Sequence, residues 1–147
     1  MNTTQINNYY KALTQHPLTK HLFKGVLPRD KIPRIPKNKV LSFIFNTDPS
    51  DKPGKHWVAF HLTRNTVFYF DSYGLPPYGF GKILRSRPKR KYFARRLQGN
   101  GQECGHYCLF FLLNICQGKK KPFQMFGKDL NVNDRIVKKY HEKHFYG

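Results

Sequence analysis

The chain has 147 residues, of which 39% are hydrophobic and 16% aromatic. That is one domain's worth of length and too much apolar content for a disordered tail. The 27 Lys+Arg against 8 Asp+Glu leave a formal net charge of +19, a positive field beyond what solubility asks for, so a polyanionic partner is expected: DNA or RNA before an anionic membrane surface.

Residues 5–15 have weak amphipathic character and predict a short N-terminal helix. The start itself, MNTTQINNYYKAL, is polar and lacks the apolar run of a signal peptide, so the expectation is a chain that is not secreted. GVLPRDKIPRIPKN, with three prolines and a Lys-Asn turn signal, reads as an extended loop. KVLSFIFNT reads as a strand, DPSDKPGK as a turn, HWVAFHL as a second strand and TVFYFD as a third. The last two are joined only by TRN, which predicts an antiparallel hairpin. SYGLPPYGFG leaves the sheet, and 82–96, KILRSRPKRKYFARR, is a basic segment with partial helical character. The loop LQGNGQE then leads into a helix from Cys104 to about Gln117. One more amphipathic stretch lies around Asn133–Tyr140. The longest fully apolar run, Leu109 to Leu113, is far too short to span a bilayer, so no membrane partner is expected. No repeat or second domain is visible, and 1–147 reads as a single α+β domain.

The three cysteines, Cys104, Cys108 and Cys116, all fall in the one helical segment. An odd count packed this way is no disulfide framework and implies a reducing compartment. Cys104 sits where a flexible loop meets a helix start. There the helix dipole and unpaired backbone N–H groups favour the thiolate, the nucleophilic form. Gly105 clears space beside the sulfur for a substrate backbone. Alone, such a cysteine is more often a small buried residue than a nucleophile. A thiol nucleophile also needs a base, and the base needs an orienting acceptor. His56 opens the second strand and Asp71 closes the third, so a hairpin brings them together at one end of the sheet. Gln98, six residues before Cys104 across a glycine-rich loop, is placed to donate its amide to a carbonyl oxygen under attack, with the Cys104 backbone N–H as second donor.

The stretches KHWVAFHL, VFYFDSYG and LQGNGQECGHYCLFFL, in that order, resemble the adenovirus-type cysteine proteases, including relatives in large virus-like DNA transposons. More distantly they resemble the ubiquitin-like-protein (SUMO-specific) proteases. The resemblance covers about residues 20–117, and FKGVLPRDKIP is similar to the region ahead of the first strand in the viral branch. It implies a papain-like, adenain-like fold: a small mixed sheet with a buried central helix carrying the nucleophile. It also implies His56 as general base, Asp71 as its orienting acid, Cys104 as nucleophile and Gln98 as oxyanion donor. The acid is Asp, as in the ubiquitin-like branch, where the adenoviral enzymes usually have Glu.

The implied function is a DNA-binding viral-type endopeptidase, cleaving virion structural precursors after small residues, often Gly. It would work without a small-molecule cofactor, with DNA as activator, in the virion and the host nucleus or cytoplasm. The adenoviral enzymes also use an activating peptide joined by a disulfide away from the active site. Here every cysteine lies within Cys104–Cys116, and no anchor for such a peptide is evident. For DNA, 82–96 carries eight Lys/Arg and no acid, with Tyr92 and Phe93 interleaved. Arg85, Arg87, Lys89, Arg90, Lys91, Arg95 and Arg96 are the candidate phosphate contacts; a solvated face or a nuclear-import signal is the plainer alternative.

Other readings compete. One keeps the chemistry and changes the substrate to ubiquitin-like conjugates, making a ubiquitin-like-protein-specific protease or deubiquitinase. Another is a catalytically idle DNA-binding virion protein. A metal site on Cys104, His106, Cys108, His141 or His144 is disfavoured because CGHYC is no recognised zinc spacing, and no metal is expected. A papain-like chain order would need His141 or His144 as base, and neither lies in a strand-like context.

Overall fold

The computed structural model describes residue 8 and residues 11–47, 56–93, 95–99, 103–119 and 121–146. The expected turn over 48–55 and most of the first half of the expected N-terminal helix lie outside the described residues. Within them the chain is helical over 11–15 (α1). The strands are β1 (Phe23–Pro28), β2 (Leu41–Asn46), β3 (Trp57–Leu62), β4 (Thr66–Phe70) and β5 (Lys89–Phe93). The remaining helices are α2 (Gly81–Leu84), α3 (Cys104–Cys116) and α4 (Leu130–His141). A widened helical turn, Glu142–Tyr146, follows α4. No helix among the described residues is long and apolar enough to cross a membrane.

The strands form one sheet in the order β1-β2-β3-β4-β5. The three central strands are antiparallel, and each edge strand runs parallel to its neighbour. The centre is what the sequence led one to expect. Both faces of β2 and β3 are buried throughout, which explains near-continuous apolar runs in place of alternation. On one face Ile44, Trp57, Ala59 and Phe70 pack against α3. On the other, Leu41, Phe43, Phe45, Val58 and Phe60 pack under Phe80 and Ile83 of the 71–88 connection and under Ile32 and Ile35 of the proline-rich segment. That segment is the loop the prolines predicted, with Asn38 in the left-handed region at φ 62°, which asparagine tolerates.

Both edge strands depart from the expectation. β1 runs into the start of the stretch expected to be a loop, and β5 lies in the basic segment expected to be partly helical. β1 carries a register shift between Phe23 and Val26, with Gly25 at φ 148° and a terminal Pro28, features suited to a sheet edge. β5, KRKYF, is exposed except for a half-buried Phe93. Charged, lysine-rich edges protect a sheet from pairing with other chains, and they leave no hydrophobic alternation to detect.

Helix α3 has ten of its 13 residues buried, because it is covered on one side by the sheet and on the other by α4 and the segment before it. Phe111 stacks on Phe70 at 5.1 Å between ring centroids, and Phe110 meets Tyr140 of α4 at 4.6 Å. The rigid seating of α3 fixes the position of its first residue, Cys104.

Arg87, one of the proposed phosphate contacts, must be reassigned. It is 4% exposed. Its Nε donates to Thr63 O at 2.7 Å, and its terminal nitrogens donate to Ser86 O, Pro36 O and Lys39 O at 3.0, 3.0 and 2.9 Å. A guanidinium bonded to carbonyls of three segments ties the proline-rich layer and the 71–88 connection to the β3–β4 turn, and it has no free face for a phosphate. Arg87→Met should cost about 3 kcal/mol, because it removes charge-assisted bonds and strands buried carbonyls. Urea unfolding would then show a lower midpoint with an unchanged slope.

Candidate active site

The register of the β3–β4 hairpin pairs Ala59 with Phe70 and Leu62 with Val67. Extended beyond the strands, this register sets Asp71 opposite Val58, so the residue just before β3 and the residue just after β4 are diagonal neighbours. These are His56 and Asp71. Thr47 donates its N–H to His56 O at 2.9 Å, extending the β2–β3 ladder to the histidine. His56 Nε2 lies 2.6 Å from Asp71 Oδ1. Asp71 is 3% exposed, and the same Oδ1 accepts the Tyr73 N–H at 2.9 Å. A carboxylate only accepts, so Nε2 carries the proton and Nδ1 is the ring atom left for a reacting group. The Tyr73 ring covers the imidazole at 4.6 Å between centroids.

Cys104 opens α3 and is 4% exposed. Burial alone would lower the His56 pKa. The bond to Asp71, the nearby Cys104 sulfur and the charges of both outweigh it and raise His56 to about 9. His56 Nδ1 is buried and makes no fully formed hydrogen bond among the described residues. The thiol is thus close enough to couple to the ring while no formed hydrogen bond joins them. The raised value favours the imidazolium. Its contribution to stability is complete below 6.5, the ordinary histidine value, and is lost as pH rises through about 9.

The other thiols differ. Cys108 donates to Trp57 O at 3.4 Å, and burial pushes its pKa well above the ordinary range. Burial also raises Cys116. His141, one of the two bases a papain-like order could use, packs on His106 at 4.4 Å between ring centroids, and burial, with His106 adding to it, lowers it to about 4.

Gln98 is fully buried and is held at the residue that follows Asp71. The N–H groups of Leu97 and Gln98 both donate to Ser72 O, at 2.9 and 3.0 Å, and Ser72 Oγ donates to Gln98 Oε1. Fixing the amide oxygen leaves Nε2 as the donating end. Residues 100–102 of the glycine-rich loop lie outside the described residues. The structure thus gathers His56, Asp71 and Cys104, and joins Gln98 to them through Ser72. A cavity of about 340 Å³ opens beside the pair, lined by His56, Asp71, Tyr73, Tyr69, Phe80 and Arg29 among others.

The remaining basic candidates separate into groups. Arg85, Lys89, Arg90 and Lys91 are exposed, with Arg90 Nε also donating to Leu84 O at 2.6 Å. Arg95 donates to Phe126 O and Gly127 O at 2.7 and 2.9 Å. Arg96 is exposed and contacts the candidate site: its Nε donates to Gln98 O at 3.0 Å and its guanidinium lies 5.4 Å over the Tyr73 ring. The sequence reading missed the roles of Ser72 and Tyr73, taking SYGLPPYGFG only as the stretch that leaves the sheet. It also assigned nothing to Glu103, which stands just before α3 and pairs with Lys138 at 2.9 Å.

This sheet, with a buried helix carrying a cysteine toward a strand-borne His–Asp pair, is the papain-like fold of the adenain-type and SUMO-protease-type cysteine proteases. The chain is similar to the ASFV pS273R protease, with a TM-score of 0.65 at 17% identity, covering 95% of this chain and 66% of that one. It is also similar to ChlaDub1 from Chlamydia trachomatis, with a TM-score of 0.57 at 17% identity, covering 97% of this chain and 76% of that one. In sequence it is 32% identical over 99 positions to R355 of Acanthamoeba polyphaga mimivirus, a protein named as a thiol protease. That match takes in 56% of this chain and 32% of the relative, so the chain spans about a third of the relative's length. No family profile matches the chain.

Two outcomes follow for solution work. The His56 ring should titrate near pH 9 by NMR, and Asp71→Asn should move that titration to lower pH by removing the bonded charge. Iodoacetamide near neutral pH should modify Cys104 well before Cys108 or Cys116, read by mass spectrometry, because only Cys104 has an imidazolium beside it.

Proposed function

We propose that the chain is a cysteine endopeptidase. The observation that carries this reading is the 2.6 Å bond of His56 Nε2 to buried Asp71, which leaves Nδ1 for the Cys104 thiol at the start of α3. The Cys104 thiolate attacks a peptide carbonyl carbon. The C=O π bond breaks, and the oxyanion is taken up by the Gln98 amide and the Cys104 backbone N–H. Collapse of the intermediate expels the amine, which takes the proton from His56 Nδ1 and leaves a thioester. Water, deprotonated by His56, then hydrolyses the thioester and frees the thiol. Asp71 holds the ring and stabilises its charge, as the acid of a triad does.

The substrates we assign are viral structural precursors, cut after small residues such as Gly, in the virion or the infected cell. The mimivirus relative named as a thiol protease supports the viral setting. DNA is the polyanion we assign to the net charge of +19. The exposed Lys89, Arg90 and Lys91 of β5, with Lys119, border a cavity of about 530 Å³ at the far end of the β3–β4 hairpin from His56. A second substrate class, ubiquitin-like conjugates, is favoured by the acid being Asp71, as in the ubiquitin-like branch.

The test offers purified chain a Gly-ended precursor peptide, with and without duplex DNA, and in parallel a ubiquitin-like fusion. Precursor cleavage stimulated by DNA supports the first reading; cleavage of the fusion alone transfers the activity to the second. Cys104→Ala should abolish either activity, and Asp71→Asn should lower kcat/KM by roughly 10²- to 10⁴-fold. An active Cys104→Ala variant would end the proposal. DNA binding measured against salt should fall steeply, and replacing Lys89, Arg90 and Lys91 with Gln should reduce the logarithmic slope by about 2–3. An unchanged slope would remove β5 from the DNA contact.

A further inference from the structure

Helix α4 bonds the segment that carries Gln98. Asn133 is fully buried and Asp134 is 9% exposed, yet both are polar residues of an amphipathic helix that has a solvent side to offer them. Both face the short segment that carries Gln98. Asn133 Nδ2 donates to Leu97 O at 3.2 Å. The Asp134 carboxylate accepts the Gly99 N–H, at 3.3 and 3.2 Å to its two oxygens. The residues on either side of Gln98 are therefore each bonded to α4. On its other side Gln98 is bonded to Ser72 and to Arg96.

The two side chains are themselves braced. Asp134 Oδ1 accepts the Tyr107 hydroxyl at 2.7 Å, from the first turn of α3, just behind the nucleophile. Burial and that bond push the Tyr107 pKa far up, so the hydroxyl stays a donor. Asn133 is held from the other end: its Oδ1 accepts the Gly127 N–H at 2.9 Å and its Nδ2 also donates to Gly127 O at 3.0 Å. Gly99 has to be glycine for this arrangement, since a Cβ there would lie 2.8 Å from Asp134 Oδ2.

We propose that Asn133 and Asp134 are positioning residues of the active site: they fix the 97–99 segment so that the Gln98 amide is aimed at the developing oxyanion. The inference rests on the protease reading above and adds to it the part of the chain that sets the oxyanion donor. A buried carboxylate is costly unless its acceptor sites are filled. Here they are filled by a loop N–H and a hydroxyl, so the carboxylate joins the loop that carries the donor to the helix that carries the nucleophile. An oxyanion donor displaced by about an ångström loses most of its effect.

Two probes separate this role from a structural one. Iodoacetamide is displaced at an sp³ carbon and creates no oxyanion, so its rate reads the Cys104–His56 pair alone. A peptide aldehyde ending in glycinal adds the thiol to its carbonyl carbon. The S–C bond forms as the π bond opens, the oxygen takes the place of the oxyanion, and a proton from His56 completes the hemithioacetal. Asn133→Asp and Asp134→Asn keep side-chain volume and are chosen for that; Gly99→Ala and Gln98→Ala complete the set.

The expected result is a Cys104 alkylation rate within about twofold of the parent in all four variants, with aldehyde affinity lower by roughly 10- to 100-fold. If Gln98→Ala weakens the aldehyde while Asn133→Asp and Asp134→Asn do not, the positioning role is wrong and the protease reading stands. If alkylation and aldehyde binding fall together in these two variants, α4 supports the whole site structurally and the specific role is again wrong. If Cys104 of the parent reacts no faster than Cys108 and Cys116, the protease reading fails, and this inference fails with it.

Discussion

The burial of α3 on both sides is the constraint from which the rest of the site follows. A helix with ten of 13 residues out of water has its axis and rotation fixed by the packing of Phe110, Phe111 and Leu112 between the sheet and α4. Interiors packed to crystal density do not let such a helix slide. Cys104 is the first residue of this helix, so its sulfur inherits that rigidity. His56 and Asp71 inherit theirs from the antiparallel register of β3 and β4. The two rigid bodies meet where the strands end. In the proposed mechanism the sulfur and the imidazole are thus placed by core packing, and the loop before α3 contributes the Gln98 amide.

In a chain with only 8 acids against 27 bases, four of the acids sit where the structure uses negative charge. Asp71 holds an imidazole. Glu103 pairs with Lys138 beside Cys104. Asp129 caps α4 by accepting from Asn131 N and Val132 N at 3.0 and 3.2 Å. Asp134 receives the Gly99 N–H and the Tyr107 hydroxyl. The bases serve less uniform ends. Arg87 and Arg95 bond backbone carbonyls, Arg96 contacts the candidate site, and β5 keeps its cations in solvent. Counting charges along 82–96 therefore overstates what is available to a phosphate backbone.

The sequence was readable where local pattern and tertiary role agree. β2, β3 and β4 are apolar runs bounded by turn residues, α3 is an apolar run behind a loop, and the amphipathic stretch near Asn133–Tyr140 is α4. The short TRN link implied the hairpin, and the hairpin implied that His56 and Asp71 meet. What was not readable depends on distant partners. β1 is a strand only because β2 accepts it in parallel, across a proline-rich crossover that hides the pairing. β5 is a strand because β4 lies beside it, while its own side chains face water. Arg87 looked like any other cation of its run until Pro36, Lys39 and Thr63 were brought to it. Asn133 and Asp134 looked like the polar face of an amphipathic helix, and nothing local says that this face meets Leu97 and Gly99. Only Gly99, standing next to Gln98, hinted that something approaches closely there.

The two ends of the β3–β4 hairpin carry opposite demands. At one end His56 needs a nearby anion to remain charged; at the other, Lys89, Arg90, Lys91 and Lys119 surround an open cavity. β3 is six residues long, which at about 3.3 Å per residue puts the two ends roughly 20 Å apart. That exceeds the physiological Debye length of about 8 Å. A polyanion on the β5 rim would therefore barely alter the Cys104–His56 equilibrium through space. Its effect would be to concentrate enzyme and substrate on one strand, or to act mechanically through β5. The mechanical route exists, because Phe93 at the end of β5 packs edge-on against Phe111 of α3 at 5.3 Å between ring centroids. Localisation should appear in the apparent KM alone, whereas strain passed through Phe93 to α3 should appear in kcat.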